Sequence, residues 1–145
     1  MEVLEHVVEL QTVLERLHRV LKPGGTLIVS VPVEIGLPLL VKQTARRIAG
    51  WRKLGDYSYN ARYTLRELAA SVFAGSDQHM ARPVSGLERA IPFPFHSHKG
   101  FNWKALLRTL RERFEVEQVS FSPLNWGGPQ LASQAWFKAH KRATR

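Results

Sequence analysis

The stretch LKPGGTLIVSVP, residues 21–32, decides the fold of this chain. Pro23 cannot continue a helix, and Gly24 or Gly25 can take the left-handed conformation that ends one. The run from Thr26 to Val31 is rich in β-branched and apolar residues. Such a run, apolar on both faces, is typical of an interior strand of a parallel sheet. The stretch therefore predicts a helix, a glycine turn and a buried strand, the second half of a strand–helix–strand unit.

The flanking sequence has the periodicity of further helices and strands. Apolar residues recur every three or four positions from Val7 to Leu21, which predicts a helix before the glycine turn. Similar spacing predicts helices at Leu37–Ile48, Thr64–Phe73 and Phe101–Phe114. Thr64 and Glu67 have the spacing of a capping box. Two closing strands, Phe114–Phe121 and Leu131–Ala139, are expected to pair antiparallel across a turn.

Composition describes one compact domain. The chain has 145 residues, 44% hydrophobic and 23% charged, which are ordinary globular values. It has no cysteine, which excludes disulfides, thiolate metal sites and a cysteine nucleophile. No apolar run reaches the ~20 residues that span a bilayer, so a cytoplasmic protein is expected. The net charge of +9 is spread along the chain and favours solubility and general attraction to anions.

Three motifs occur in a characteristic order. They are EVLEHV at Glu2–Val7, RVLKPGG at Arg19–Gly25 before the strand that ends at Pro32, and HKGFNW at His98–Trp103. Together they resemble the C-terminal part of a class I S-adenosylmethionine-dependent methyltransferase, of the type 11 or ubiquinone-methyltransferase-like kind. The resemblance covers nearly the whole chain.

The resemblance implies an α/β fold. It is a partial Rossmann-like methyltransferase sheet, with one parallel strand (Thr26–Val31) and a C-terminal antiparallel pair, flanked by helices. Residues 1–145 would form a single domain. Within it, residues 1–32 hold the strand end, the helix and the buried strand. Residues 33–100 form a lid region of helices and loops, and residues 101–145 form the closing helix and two strands.

The resemblance also implies what the chain lacks. In that family a glycine-rich turn after the first strand binds S-adenosylmethionine, and no G-x-G-x-x-G turn occurs here. Gly24 and Gly25 precede a strand, so they are a helix stop. We therefore expect the chain to begin at the family's fourth strand and to bind the cofactor poorly unless a missing N-terminal half or a partner chain supplies the loop. The apolar edge of Thr26–Val31 would then be exposed and prone to aggregate.

Glu2, Glu5 and His6 stand together where the first helix begins. A helical turn there would let all three converge on one ion, and this ligand set suits Mg²⁺, Mn²⁺ or Fe²⁺. The alternative is that Glu5 only complements the positive end of the helix dipole, and that His6 lines the cofactor pocket.

The resemblance extends this ligand set. Ubiquinone-pathway O-methyltransferases and small-RNA 2′-O-methyltransferases carry E-x-x-E-H at this place and bind a divalent ion with it. The small-RNA enzymes add a later histidine, for which His96 and His98 are the candidates. The implied metal ligands are Glu2, Glu5, His6 and His98, with Mg²⁺ as the candidate ion. The implied cofactor-binding residues are Glu2, Val3 and His6, and no catalytic nucleophile is expected.

Aromatic residues cluster before the third helix, at Trp51, Tyr57, Tyr59 and Tyr63. The family often builds a substrate lid here, which could stack a base or a quinone-like ring. The cluster could equally be a small satellite core, and we favour packing for Trp51. Trp126 is a further lid candidate, and His18 is expected to be exposed.

Three functions are compatible with these features. The leading one is a methyltransferase fragment that transfers a methyl group to oxygen of a small molecule. The second is a truncated, non-catalytic methyltransferase-like domain. The third is an RNA 2′-O-methyltransferase, which the net charge and the E-x-x-E-H…H pattern support.

Overall fold

The structure is a computed structural model that describes residues 3–52, 63–78, 80, 82, 84–85, 94–96 and 98–142. The helices are α1 (Leu10–Val20), α2 (Leu37–Trp51), α3 (Leu65–Val72) and α4 (Trp103–Arg113). The strands are β1 (Thr26–Pro32), β2 (Val84–Ser85), β3 (Phe95–His96), β4 (Glu115–Ser122) and β5 (Gln134–His140). A 3-10 segment, Asn125–Leu131, connects β4 to β5.

The main sheet has three strands in the order β1–β5–β4. The middle strand β5 is antiparallel to both neighbours, so that Phe137 lies opposite Val29 on one side and Val119 on the other. The expected pairing of the last two strands is confirmed. The expected parallel pairing of Thr26–Val31 is not shown, because the described neighbour of β1 is antiparallel. Composition identified the strand, but its neighbour depends on where a distant segment packs.

Burial along β1 changes midway. Leu27 and Val29 are buried while Thr26 and Ile28 are exposed, which is one-sided burial. From Val29 to Val31 three successive residues are buried, so both faces are covered only there. β1 occupies an outer position of the described sheet, and the tendency of its edge to aggregate stays a prediction.

The core lies between the sheet and helices α1 and α4. Leu14 of α1 and Leu110 of α4 are fully buried in one cluster with Val29 and Phe137. The Trp103 ring meets the Phe121 ring edge-on at 5.4 Å between centroids. Burial of this apolar surface is the main stabilising term for such a domain.

The glycine turn before β1 is attached to the C-terminal strand. Gly24 has a φ of 72°, the left-handed region that favours glycine. A Cβ atom on Gly25 would lie 2.8 Å from the Lys22 carbonyl oxygen, so a side chain does not fit there. Gly24 N–H donates to the Lys141 carbonyl at 3.1 Å, and Lys141 N–H donates back to Gly25 at 3.0 Å.

Several predicted boundaries differ from the structure. Helix α1 begins at Leu10 rather than Val7, and α2 continues to Trp51 rather than ending at Ile48. Strand β5 begins at Gln134 because Leu131 belongs to the 3-10 segment.

The capping box of α3 is confirmed: Glu67 N–H donates to Thr64 Oγ1 at 3.2 Å, and Thr64 N–H donates to Glu67 Oε2 at 2.8 Å. In the described part of the chain, no helix is long and apolar enough to cross a membrane.

Candidate metal and acceptor site

The turn that precedes α1 positions the first part of the site. Leu4 is buried in the core and anchors this segment. His6 N–H donates to the Val3 carbonyl at 2.9 Å, which closes a tight turn. The turn holds Glu5 inside the protein, where the residue is only 4% exposed, and leaves His6 partly exposed beside it.

Glu5, His6 and His98 come together in the folded chain. One ligand atom from each residue lies within 4.8 Å of the others. His6 Nε2 is 3.9 Å from Glu5 Oε1, and the rings of His6 and His98 meet edge-on at 4.6 Å between centroids. A carboxylate and two imidazoles at this spacing are the kind of set that binds a divalent transition ion.

A second segment of the chain orients the His6 ring. His6 Nδ1 lies 2.8 Å from the His96 carbonyl oxygen, and His96 N–H donates to the His6 carbonyl at 2.9 Å. A carbonyl oxygen can only accept, so the proton of this bond is on Nδ1, and Nε2 is the nitrogen that a neutral ring would offer to a ligand. Metal-binding histidines are commonly oriented in this way. The same pair of bonds brings His98, two residues further on, to the cluster.

Glu5 lies in an unusual electrostatic environment. Its Oε2 is buried and has no hydrogen-bond partner among the described residues. The Arg82 guanidinium donates to the Glu5 backbone carbonyl and lies 5.2 Å above the centre of the Phe101 ring. Burial lowers the pKa of Arg82 to about 10, and the Glu5 charge opposes that effect. A buried carboxylate oxygen without a partner is costly, and a bound cation would satisfy it.

The surroundings of His98 favour its neutral form. Burial lowers the pKa of His98 below its usual value, and the neighbouring His6 lowers it further. Glu34 and Glu5 act in the opposite direction. A neutral imidazole keeps a lone pair available, which suits either a metal ligand or a proton acceptor.

Glu34 is a residue of this region that the sequence analysis did not single out. It lies two residues after the end of β1 and is 3% exposed. The Lys42 ammonium of α2 lies 3.1 Å from Glu34 Oε1, and the Arg46 guanidinium lies 3.7 Å from the same oxygen. A signal did exist: an acidic residue beyond the carboxyl end of a buried strand is at the usual place of a ligand site in α/β sheets.

The two residues that follow His98 in the sequence, Lys99 and Gly100, line a cavity of about 470 Å³. Tyr63 forms one wall, and its hydroxyl accepts a hydrogen bond from Gly100 N–H at 3.3 Å. The Lys99 ammonium lies 5.4 Å from the centre of the Tyr63 ring and 2.9 Å from Glu67. Burial raises the pKa of Tyr63, and the charges of Glu34 and Arg46 reach the same hydroxyl. The cavity therefore combines an aromatic wall with cationic and anionic groups.

Other predicted residues have varied outcomes. Glu2, Tyr57 and Tyr59 lie outside the described residues. Val3 is half-exposed. The packing role favoured for Trp51 is wrong, because the residue is 82% exposed. Trp51 faces outward at the end of α2. Trp126 is also exposed.

The exposure expected for His18 is only partly observed. The ring is half-buried and meets the Phe114 ring at 5.4 Å between centroids. Helical periodicity placed His18 on the polar face of α1, but the end of α4 covers that position.

Comparison with known proteins adds one finding. Residues 1–29 match the family model of a methyltransferase domain. The matched stretch contains Glu5, His6, helix α1 and the start of β1. The match supports a class I S-adenosylmethionine-dependent methyltransferase domain, a family that implies S-adenosylmethionine as the methyl donor. Comparison with curated proteins and with solved structures gives no match.

Proposed function

We propose that this chain is part of a methyltransferase that transfers the methyl group of S-adenosylmethionine to an oxygen atom of a small molecule. The observation that carries the proposal is the convergence of Glu5 and His6, which lie in the stretch that matches the family model, with the distant His98. These three residues belong to the ligand set that the resemblance implies.

The donor set fits a divalent cation. Glu5 Oε2 is buried and lacks a hydrogen-bond partner among the residues that the structure describes, and the bond from His6 Nδ1 to His96 leaves Nε2 as the ligand atom; both observations support a cation. Glu5, His6 and His98 would hold the ion, and Glu2, three residues before Glu5, would add a second carboxylate. When bound, a cation such as Mg²⁺ or Mn²⁺ would lower the pKa of an acceptor hydroxyl.

The protein's own groups would bind and orient the acceptor. The cavity beside Tyr63 offers a ring face for stacking, and Lys99 and Arg66 at its wall favour an acceptor with negative charge. Alignment of the hydroxyl with the sulfonium methyl is the main requirement of such a transfer, because the leaving group is already activated.

This chain would supply one part of the S-adenosylmethionine site. Val3 and His6 would line it from this chain, together with Glu2. On the resemblance, the glycine-rich turn for S-adenosylmethionine belongs to residues outside this chain, which would then be the C-terminal part of the domain.

The first test of the site is metal binding. We expect Mn²⁺ titration, followed by calorimetry, to show one site on the chain. Glu5→Gln and His98→Ala should each weaken affinity by at least about tenfold, since each removes or neutralises a ligand. His140→Ala is the matched control, because His140 lies on β5 and bonds to Glu117 at 2.8 Å. Equal affinity of the wild-type chain and His98→Ala would contradict the site.

The second test concerns the methyl donor and acceptor. S-adenosylmethionine is titrated with and without Mg²⁺, and methyl transfer is measured with hydroxylated small molecules and with RNA. Transfer to small hydroxylated compounds supports the proposal. Transfer to RNA, with binding that falls steeply as salt rises, would identify the nucleic-acid alternative instead.

A further inference from the structure

Helix α2 presents an apolar face outward. Four of its large apolar residues are strongly exposed: Leu37 at 56%, Val41 at 68%, Ile48 at 49% and Trp51 at 82%. At 100° per residue, these four positions fall within an arc of about 80° on one side of the helix. They lie on one outward side of the helix, with the exposed Thr44 between Val41 and Ile48, and we call these four residues the α2 stripe.

The inward face of the same helix fixes this orientation. Pro38 and Leu39 are buried against the rest of the protein. Lys42 donates to the Val33 carbonyl at 2.9 Å and to Glu34 at 3.1 Å, and Arg46 pairs with the same carboxylate. Because the inward cations are bonded to a buried acid, the helix cannot rotate to bury the α2 stripe without breaking these bonds.

The α2 stripe is long and continues onto α3. Leu37 to Trp51 spans about 21 Å at 1.5 Å per residue. Leu37 and the strongly exposed Phe73 line one groove of about 270 Å³ at the end of α3. Large exposed apolar residues grouped on one side of a helix are typical of an interaction site.

The charges around the α2 stripe indicate what covers it. Helix α2 contains Lys42, Arg46 and Arg47 and no carboxylate, and Arg52 follows it. Arg47 and Arg52 are exposed and flank the stripe. An apolar face with basic flanks and a tryptophan is the pattern of helices that lie in the interface of an anionic bilayer.

We propose that the α2 stripe docks on an anionic lipid surface. The apolar side chains enter the boundary between headgroups and acyl chains, and Arg47 and Arg52 bind lipid phosphates beside them. The proposal goes beyond the methyl-transfer function and does not depend on it.

Vesicle sedimentation tests the proposal with the full chain. We expect the chain to bind vesicles of phosphatidylcholine mixed with phosphatidylglycerol, and to bind vesicles of phosphatidylcholine alone more weakly. Val41→Asp combined with Ile48→Asp should reduce the partition coefficient by at least about tenfold. Burial of either apolar side chain raises the coefficient by roughly tenfold, and both contributions are lost in the double variant. Arg47→Glu combined with Arg52→Glu should remove the preference for the anionic vesicles.

The matched control is Val20→Asp, which changes an equally apolar and exposed residue at the end of α1, away from α2. It should leave partitioning unchanged, and circular dichroism should show that all variants are folded. Failure of the folded chain to bind anionic vesicles would overturn the proposal. The proposal would also be overturned if light scattering showed a dimer that becomes a monomer in the Val41→Asp, Ile48→Asp double variant. A second copy of the chain would then cover the α2 stripe.

Discussion

At the scale of single residues, Glu34 connects helix α2 to the candidate site. Its carboxylate is buried, pairs with Lys42 and Arg46, and contributes to the electrostatics at His98. Nothing in the local periodicity distinguishes Glu34 from a solvated acid after a strand. Its role comes from the two cations that α2 brings back over the end of β1.

Glu34→Gln should destabilise the fold. Removing one partner of a buried ion pair leaves the remaining charges uncompensated, which costs ~3–5 kcal/mol when those charges are fully buried. The Lys42 and Arg46 side chains retain 24% and 28% exposure, so water offsets part of this cost. We expect a loss of about 1–3 kcal/mol in the free energy of unfolding, measured by urea denaturation.

The matched control for Glu34 is Glu15→Gln. Glu15 is 60% exposed and pairs with Arg113 at 2.9 Å, so its removal should change stability by no more than about 1 kcal/mol. If the Glu34→Gln and Glu15→Gln variants have the same unfolding midpoint, the prediction that the buried ion pair stabilises the fold is wrong.

Glu67 gives the fold a dependence on acid pH. The Thr64 backbone N–H and then Lys99 lower the pKa of this carboxyl from 4.5 to about 2. A depressed pKa in the folded state contributes stability that is present above pH 4.5 and is lost as the pH falls towards 2. The melting-temperature difference between the wild-type chain and Glu67→Gln should therefore shrink over that interval. A difference that stays constant from pH 7 to pH 2 would contradict it.

At the scale of elements, the ends of helices were the most predictable features. The capping box of α3 was recognised from Thr64 and Glu67 alone, because both bonds involve residues within one turn. The C-terminal end of α2 was placed too early, since no proline or left-handed glycine stops the helix before Arg52. The start of β5 was also misplaced, because a 3-10 segment and an extended strand can have similar apolar content.

Asn102 performs two tasks at the start of α4. Its Oδ1 accepts from Lys104 N–H at 3.0 Å and from Ala105 N–H at 3.3 Å, which caps the helix. Its amide Nδ2 donates to the Gly75 carbonyl at 2.8 Å and to the Gln78 carbonyl at 3.1 Å, which attaches the loop after α3. The cap and the attachment can be separated by substitution.

Asn102→Ala should lower the free energy of unfolding by about 2–3 kcal/mol, since it removes both the cap and the buried donor bonds. Asn102→Ser keeps an oxygen that can cap the helix and loses the amide donors without adding a charge, so its loss should be smaller. Thermal denaturation of the two variants makes the comparison. Equal losses would mean that the cap contributes nothing measurable.

At the scale of the whole molecule, β5 holds the sheet together. It is the last strand in the chain, yet it lies between β1 and β4 and bonds to both. Separating β5 would disrupt the entire main sheet, so its amides should exchange with solvent only on global unfolding.

Hydrogen exchange monitored by mass spectrometry checks the central position of β5. Peptides from Gln134–His140 should exchange most slowly, and peptides from the short strand pair β2–β3 should exchange much faster. Faster exchange in β5 than in β1 would contradict the strand order.

The sequence by itself determined the existence and type of most elements. The apolar spacing of α1 and α4, the glycine turn and the capping box depend on residues within a few positions of one another. The spacing of Glu2, Glu5 and His6 also made them a candidate set, and the resemblance added His98.

Only the tertiary structure decided which distant segments meet. It inserted β5 beside β1, brought His98 to His6 through the bonds to His96, and closed Lys42 and Arg46 over Glu34. It also turned the apolar face of α2 outward, because the ion pair on the opposite face is buried. These outcomes depend on long-range packing and on which polar groups find partners, and neither quantity is contained in a local sequence pattern.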